Sequence, residues 1–346
     1  MATDRTDRGA EGENTNGSAT AVGDTDSESE PVPHPAFAAY ADESVPGATV
    51  GAPGKDGRLE LRFGVDRDGN TNLVRDLARA PFHVSGTLGH DPHPAGETVY
   101  VQSPSGGVAQ GDRHDVSVAV GPDAVAHVTT SSSTKVLSME RNYAAAAVTL
   151  SVGSGGHLDY VPAPTILHPE ARFGRTTAVD LAPDATAVVG EVVVPGRLAR
   201  GERFDFERYA STCEVRSDDE LLVADATHLA PGGDDPAPTA PGMLGEFAVF
   251  GTLYVLAPAA DAAALADRLH AAVAPADGPS GGASVDANGD ADRGVAAGAT
   301  RLPNGAGVLV RVLGHRADPV TDRLHAAWDS AREGLLDVGA PADRRQ

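Results

Sequence analysis

Short runs in which apolar and polar residues alternate make up most of the chain after residue 57. The first run, residues 58–63, places Leu59, Leu61 and Phe63 on one face of an extended segment, as expected for a β-strand with one buried face. Runs of similar length recur at intervals of roughly ten residues, with Gly, Pro and Asp turns between them. This rhythm predicts a mainly β body over residues 57–230.

Two later segments have the period of a helix instead. The first repeats an apolar residue every four positions up to Val273, and Asp261 is suited to cap its N-terminus. The second begins near Pro319 and carries Leu324 and Trp328 on one face. The C-terminal third of the chain is therefore expected to contain two α-helices.

The domain organisation follows from these patterns and from the segments that lack them. Residues 1–56 are acidic and poor in large apolar side chains, so we predict a disordered tail. Residues 242–338 form an α+β part of the same unit as the β body. Within this part, the apolar run 247–256 suits a strand buried on both faces, and residues 275–298 read as a flexible acidic insertion.

Composition limits the function classes that fit the chain. Its 49 acidic residues outnumber 27 Lys and Arg, which gives a formal net charge of −22 and disfavours nucleic acid and anionic membranes as partners. Lys55 and Lys135 are the only lysines, a bias that indicates a halophile-like source. Cys213 is the single cysteine, so an intrachain disulfide is excluded. No run of about 18 apolar residues occurs, and we expect a cytoplasmic protein.

Six short motifs occur in order between residues 104 and 216. They are PSGGVAQGD (104–112), TTSSSTKV (129–136), LDYVPAPTI (158–166), ARF (171–173), EVVVPGRLARGERF (191–204) and EVR (214–216). Each motif alone is ordinary strand and turn chemistry, but their succession resembles the urease accessory protein UreD (UreH) family. The resemblance extends over residues 57–337. The chain departs from the family at Pro164, where many members carry an acidic residue.

The resemblance implies both a fold and a role. The implied fold is mainly β, with layered β-sheets in a β-helix-like topology plus two α-helices in the C-terminal half. The implied role is that of a urease maturation factor without catalysis of its own, which docks on apo-urease and on the UreF–UreG complex, in which UreG is a GTPase. Nickel would pass through an internal channel lined by acidic residues, as an ion in transit rather than a permanently bound cofactor.

Three carboxylates in the motifs are the candidates for such a nickel path: Asp159, Glu191 and Glu202. Nickel(II) accepts carboxylate and imidazole ligands, so a path for it requires weak, spaced O and N donors. A carboxylate inside a β core must, however, be paired, hydrated or turned outward. The residues alone therefore leave two simpler readings open: outward-facing positions for Asp159 and Glu202, and a salt bridge from Glu191 to Arg197 or Arg200.

Other motif residues are candidates for partner contacts or for structural roles. Gly106 and Gly107 suit a turn that needs positive φ and close backbone approach. Lys135 is the only lysine of the predicted ordered body, and the arginines are suited to hold carboxylates. The full set is Gly106, Gly107, Asp112, Lys135, Pro162, Arg197 and Arg216.

Two other functions remain open on the sequence. In the first, the chain is a β-helix-like carbohydrate-active enzyme that uses Asp159 and Glu191 as an acid/base pair; this requires a cleft that brings the carboxylates within about 5–10 Å. In the second, it is a binding module with no metal role.

Overall fold

A computed structural model of the chain describes residues 34–45, 52–233, 236–274 and 294–342. Within these ranges the α-helices are α1 (Ala38–Ala41), α2 (Ala262–Val273) and α3 (Ala317–Leu336). The strands are β1 (Asp56–Val65), β2 (Thr71–Ala78), β3 (His83–Leu88), β4 (Gly96–Gln102), β5 (Arg113–Val120), β6 (Val125–Thr130), β7 (Thr134–Val136), β8 (Ala144–Val152), β9 (His157–Tyr160), β10 (Thr165–Leu167), β11 (Arg172–Leu181), β12 (Thr186–Val194), β13 (Arg208–Ser217), β14 (Glu220–Leu229), β15 (Val249–Leu256), β16 (Ala296–Arg301) and β17 (Gly307–Gly314).

The strands form two sheets that the chain visits in turn. The first sheet has the order β14-β13-β11-β8-β5-β1-β2, and the second has the order β16-β17-β15-β12-β9-β6-β4-β3. From β5 to β13 the longer strands alternate between the two sheets and pair in parallel within each, while antiparallel strands close the edges. These stacked coils are a β-solenoid-like arrangement, and they confirm the expected mainly β fold with β-helix-like topology.

A large hydrophobic core lies between the two sheets. Leu59, Leu61 and Phe63 of β1 are at most 2% exposed and face it, as their alternation predicts. Valines and leucines of the parallel strands fill the rest of this space from both sides. Each such side chain contributes about 1.5–3 kcal/mol relative to an exposed one, which makes the sandwich interior the main source of stability.

A second core covers the outer face of the second sheet. All eight residues of β15 are buried, because its inner face meets the first core and its outer face meets α2 and α3. The Asp261 side chain accepts hydrogen bonds from the amides of Ala263 and Ala264, which confirms the expected cap of α2. Helix α3 begins at Ala317, two residues before the expected Pro319, and buries Leu324 and Trp328 against the sheet.

The ends of the ordered body differ from the sequence-based boundaries at two places. Residues 34–45, expected within the disordered tail, pack on the first sheet, because Phe37 is fully buried against Tyr143 and Ala210. The expected insertion 275–298 ends earlier than predicted, since β16 starts at Ala296 and pairs with β17. Residues 1–33 and 275–293 lie outside the described residues. No helix in the described ranges is long and apolar enough to cross a membrane.

Replacement of Phe37 by alanine should release the segment 34–45 from the first sheet. The ring lies 4.9 Å from that of Tyr143, and its loss should lower the free energy of unfolding by about 3 kcal/mol. Denaturant unfolding and hydrogen exchange of residues 34–45 measure the change. Ala39→Ser, at an exposed position of the same segment, is the control; equal stability of Phe37→Ala and this control would contradict the packing described.

Candidate functional site

Polar side chains cross the interior between the sheets at one level of the stacked strands. In the first sheet, the register places His114, Ala146, Arg175 and Ser211 side by side on adjacent strands, all on the inward face. Glu191 of the second sheet lies at the same level, since Arg175 and Ser211 of the first sheet both donate hydrogen bonds to its carboxylate. We call the polar side chains at this level, His114, Arg175, Ser211 and Glu191, the polar layer.

The centre of the polar layer is an ion pair that joins the two sheets. Arg175 Nη1 donates a hydrogen bond to Glu191 Oε1 at 3.2 Å, and the Ser211 hydroxyl donates to Glu191 Oε2 at 3.1 Å. The side chains of Arg175 and Glu191 are 10% and 17% exposed. Burial would lower the pKa of the Arg175 guanidinium, but the Glu191 charge more than offsets it, so the net pKa is raised. Arg175 is therefore held in its charged form.

The polar layer has no activated nucleophile next to this pair. Burial raises the pKa of the Cys213 thiol to about 12, and the nearby Glu191 charge adds to the effect. Burial and Glu191 also raise the pKa of the Tyr209 hydroxyl well above its usual value. Cys213 is accordingly a small buried thiol.

A cavity lies at each end of the polar layer. The smaller one, about 210 Å³, is lined by His114 of the layer, by Gly106 and Gly107 of the loop before β5, and by Lys135 of β7. The larger one, about 420 Å³, lies at the opposite edge of the sandwich. Its lining includes Thr252, the residue paired with Glu191 in the second sheet.

The turn at Gly107 has a geometric reason to be glycine. Its φ is +149°, and a Cβ there would lie 2.6 Å from the Lys135 carbonyl oxygen. The amide of Val108 donates to that same carbonyl at 2.8 Å, so the loop before β5 is joined to strand β7 through the backbone. The structure thus brings together three of the residues singled out in the sequence: Gly106, Gly107 and Lys135.

Asp159 lies on the other face of the second sheet, away from Glu191. It faces α3, where Trp328 Nε1 and Arg332 Nη1 each donate to its carboxylate at 2.6 Å. His157 Nε2 lies 3.1 Å from the same carboxylate, and Arg332 also pairs with Asp91. We call Asp91, His157, Asp159, Trp328 and Arg332 the Arg332 cluster.

The Arg332 cluster keeps Asp159 ionised although it is fully buried. Burial alone would raise the pKa of the carboxyl, but His157 and Arg332 more than offset this and hold the pKa below its usual range. Because Asp159 is aligned with Val188 and Glu191 is three residues further along β12, the two carboxylates point to opposite faces of the sheet. This geometry does not support an acid/base pair in a shared cleft.

Glu202 lies outside the interior, in the loop after β12. Arg197 binds both of its carboxylate oxygens at 2.6 Å, and this hydrogen-bonded pairing lowers the pKa of Glu202. Glu191 and Glu202 therefore have different arginine partners, and the expected pairing of Glu191 with Arg197 or Arg200 is not the one observed. Of the three candidate carboxylates, the structure places only Glu191 in the polar layer.

The remaining singled-out residues have separate positions. Asp112 is fully buried and accepts hydrogen bonds from the backbone amides of Lys55 and Ala109, so it holds two loops together. Pro162 lines a small cavity of about 40 Å³ beneath α3. Arg216 lies at the surface, where its side chain is 44% exposed and 3.4 Å from Glu214.

Two central arginines were not among the sequence candidates, although the sequence carries a signal for each. Arg175 occupies an inward position in the alternation of β11, between Phe173 and Thr177. Arg332 follows Trp328 by four residues and so falls on the buried face of α3. A charged residue on a face that is otherwise apolar indicates a buried partner of opposite charge.

The donors present do not form a resident metal centre of the usual kind. Over the described ranges, no three His, Cys, Asp or Glu side chains come together in an arrangement that could hold a metal ion. The polar layer offers one carboxylate, and that carboxylate is already bound by an arginine and a serine.

The comparisons with known proteins define the class to which this fold and site belong, that of accessory proteins for urease. A family model described as UreD urease accessory protein matches residues 55–346. Proteins named urease accessory protein UreD from Haloarcula marismortui, Natronomonas pharaonis and Haloquadratum walsbyi are 61%, 46% and 41% identical to the chain. These alignments cover 90%, 90% and 91% of this chain and 98%, 98% and 97% of the relatives.

The chain belongs to the UreD family, and the resemblance given by the six motifs is confirmed. Membership supports a role in urease maturation. The family model begins at residue 55, so the docked segment 34–45 precedes the part of the chain that it matches.

Loss of the Asp159 charge should destabilise the contact between α3 and the second sheet. Asp159→Asn leaves the buried Arg332 with Asp91 alone, and we expect a loss of about 3 kcal/mol in the free energy of unfolding. Denaturant unfolding at neutral pH measures it. Asp267→Asn, on the exposed face of α2, should change stability by less than about 0.5 kcal/mol; an equally small effect of Asp159→Asn would show that the cluster is not structural.

Mild acid should destabilise the chain through His114 at the end of the polar layer. Burial lowers the pKa of His114 to about 4, whereas the unfolded value is about 6.5. The unfolded state therefore binds the proton first, and stability present above pH 6.5 is lost as the pH falls towards 4. The loss amounts to about 3 kcal/mol for this group.

Denaturant unfolding of the wild type and of His114→Gln between pH 7.5 and 4.5 isolates this contribution. The variant should show a shallower fall of stability with decreasing pH, because it lacks the proton uptake on unfolding. Parallel curves for the two proteins would contradict the buried neutral imidazole.

Proposed function

We propose that this chain is a urease maturation factor that acts as a scaffold and as a nickel conduit. In this role it docks on apo-urease with one surface and on the UreF–UreG complex with another, in the cytoplasm of a halophile. It carries out no catalysis of its own and has no permanently bound cofactor. The observation that carries the proposal is the polar layer, which has the Glu191 carboxylate at its centre and a cavity at each end.

The chemistry of the polar layer fits an ion in transit better than a resident ion. Nickel(II) binds carboxylate oxygens, and a single carboxylate with neutral hydroxyl neighbours holds it weakly enough to release it. Glu191 and Ser211 supply such donors in the middle of the sandwich. Thr252, next to Glu191 in the sheet, extends the polar lining into the larger cavity.

Among the three carboxylates proposed from the sequence, Glu191 is the one that the geometry favours for the nickel path. The Asp159 carboxylate is committed to Trp328 and Arg332 on the helix face, so we assign it a role in holding α3. Glu202 is closed off by the two hydrogen bonds from Arg197 at the surface. The nickel role predicted from the sequence for these two residues is therefore not part of this proposal.

One docking surface is proposed at the mouth of the smaller cavity. Gly106 and Gly107 of the loop before β5 and Lys135 of β7 line this cavity. A partner seated there would place its own nickel ligands next to the polar layer. With a net charge of −22, the chain favours protein partners over nucleic acid or an anionic membrane surface.

The direct test is nickel-dependent activation of apo-urease by Glu191→Gln in the presence of the UreF and UreG homologues. This change keeps the size of the side chain and removes the charge that attracts the ion, so we expect activation to fall at least about tenfold. Co-purification with apo-urease should persist, because Glu191 lies inside the sandwich.

Glu202→Gln is the matched control, since it removes a carboxylate of the same kind at the surface. Activation should remain near the wild-type rate for this variant. Wild-type activation by a folded Glu191→Gln protein would eliminate the conduit, and failure of the wild-type chain to associate with urease would eliminate the docking role.

A further inference from the structure

A buried arginine sits in the middle of the proposed nickel path. Arg175 is 8% exposed and points inward from β11, between apolar and small neighbours. The cost of burying an arginine is large unless a partner carboxylate compensates it. Its presence at this level therefore needs an explanation beyond the packing of the sandwich.

Arg175 and Ser211 together occupy both oxygens of Glu191. The guanidinium donates a hydrogen bond to Oε1 at 3.2 Å, and the serine hydroxyl donates one to Oε2 at 3.1 Å. The guanidinium carbon also lies 5.8 Å from the centre of the Tyr160 ring, a cation–π contact that fixes its orientation. An arginine guanidinium is not deprotonated in proteins, so this position holds a permanent positive charge.

A free divalent cation that reaches this level meets two obstacles. The carboxylate that would bind it is already neutralised, and the guanidinium repels it at close range in a medium of low dielectric constant. A cation therefore binds Glu191 only in exchange for the guanidinium. This arrangement distinguishes Glu191 from an open acidic site, which would take up any divalent cation from the solution.

We infer that Arg175 closes the interior of the chain to free cations: its guanidinium occupies the Glu191 carboxylate in place of a metal ion. The biological meaning of this closure rests on the proposed nickel conduit. In that role, Arg175 would prevent nickel from entering or leaving the interior until a bound partner complex displaces the arginine from Glu191. The binding property itself belongs to the isolated chain and is measured without urease.

The first experiment measures Ni²⁺ binding to the isolated full chain by titration calorimetry in high salt, which screens the acidic surface. Arg175→Gln keeps a hydrogen-bond donor near Glu191 but removes the charge. We expect this variant to bind Ni²⁺ at Glu191 at least tenfold more tightly than the wild type does, so that one additional bound ion is measured. The double variant Arg175→Gln/Glu191→Gln should lose that gain.

Arg197→Gln is the matched control, because it frees the Glu202 carboxylate at the surface in the same way. Its Ni²⁺ binding should remain at the wild-type level. A folded Arg175→Gln protein without additional binding, or an equal gain in Arg197→Gln, would overturn the inference.

A second comparison does not depend on whether Arg175→Gln folds. If Arg175 holds Glu191 closed, the wild type and Glu191→Gln bind the same number of Ni²⁺ ions in isolation. Loss of a bound ion in Glu191→Gln would mean that the carboxylate is already open, and the inference would be wrong.

The activation assay separates this inference from the conduit. If Glu191→Gln activates urease normally while Arg175→Gln gains the ion, the conduit fails and the closure by Arg175 stands. If Glu191→Gln abolishes activation while a folded Arg175→Gln gains nothing, the conduit stands and the closure fails.

Discussion

The ion pair between Arg175 and Glu191 is the interaction that allows charge to exist between the two sheets. A lone carboxylate at that depth would lower the stability of the sandwich, because the uncompensated desolvation of a charge costs several kcal/mol. With the arginine on one sheet and the glutamate on the other, the charges compensate each other across the gap. The polar layer and the role proposed for it all depend on this pairing.

The solenoid-like topology explains why polar residues from distant motifs meet at one level. Parallel strands stacked in register place residues of equivalent position in a line across the sheet. One such line, Val118, Leu150, Val179 and Val215, is wholly apolar and seals the sandwich four positions further along each strand. The line through Arg175 instead carries three polar side chains, His114, Arg175 and Ser211, with Ala146 between the first two, and a cavity lies at each of its ends.

The same rule of paired burial organises the outer face of the second sheet. There Asp159 is compensated by Arg332 and Trp328 from α3, and Asp91 shares the arginine. This cluster ties the loop before β4, the centre of the sheet and the last helix together. One sheet thus separates two charge-compensated sites: a structural one against the helix, and one in the interior whose layer has a cavity at each end.

Local patterns in the sequence were sufficient for β1, β15, both long helices and the cap of α2, because each depends on neighbouring residues. The family motifs were sufficient for the fold class. The partners of the carboxylates were not predictable, since Arg175 meets Glu191 only through the register of strands in opposite sheets. Asp159 was expected to face either solvent or a channel, but it faces α3. The spacing of four residues between Trp328 and Arg332 on that helix places both side chains on the face that contacts Asp159. Phe37 shows how one aromatic residue orders a segment whose composition otherwise indicates disorder.

The most direct measurement of the central claim is anomalous diffraction at the nickel edge from crystals of the Arg175→Gln chain grown with Ni²⁺. Our account predicts an anomalous peak between the two sheets, within coordination distance of the Glu191 carboxylate. Nickel found only on the outer surface, with the interior beside Glu191 empty, would contradict it.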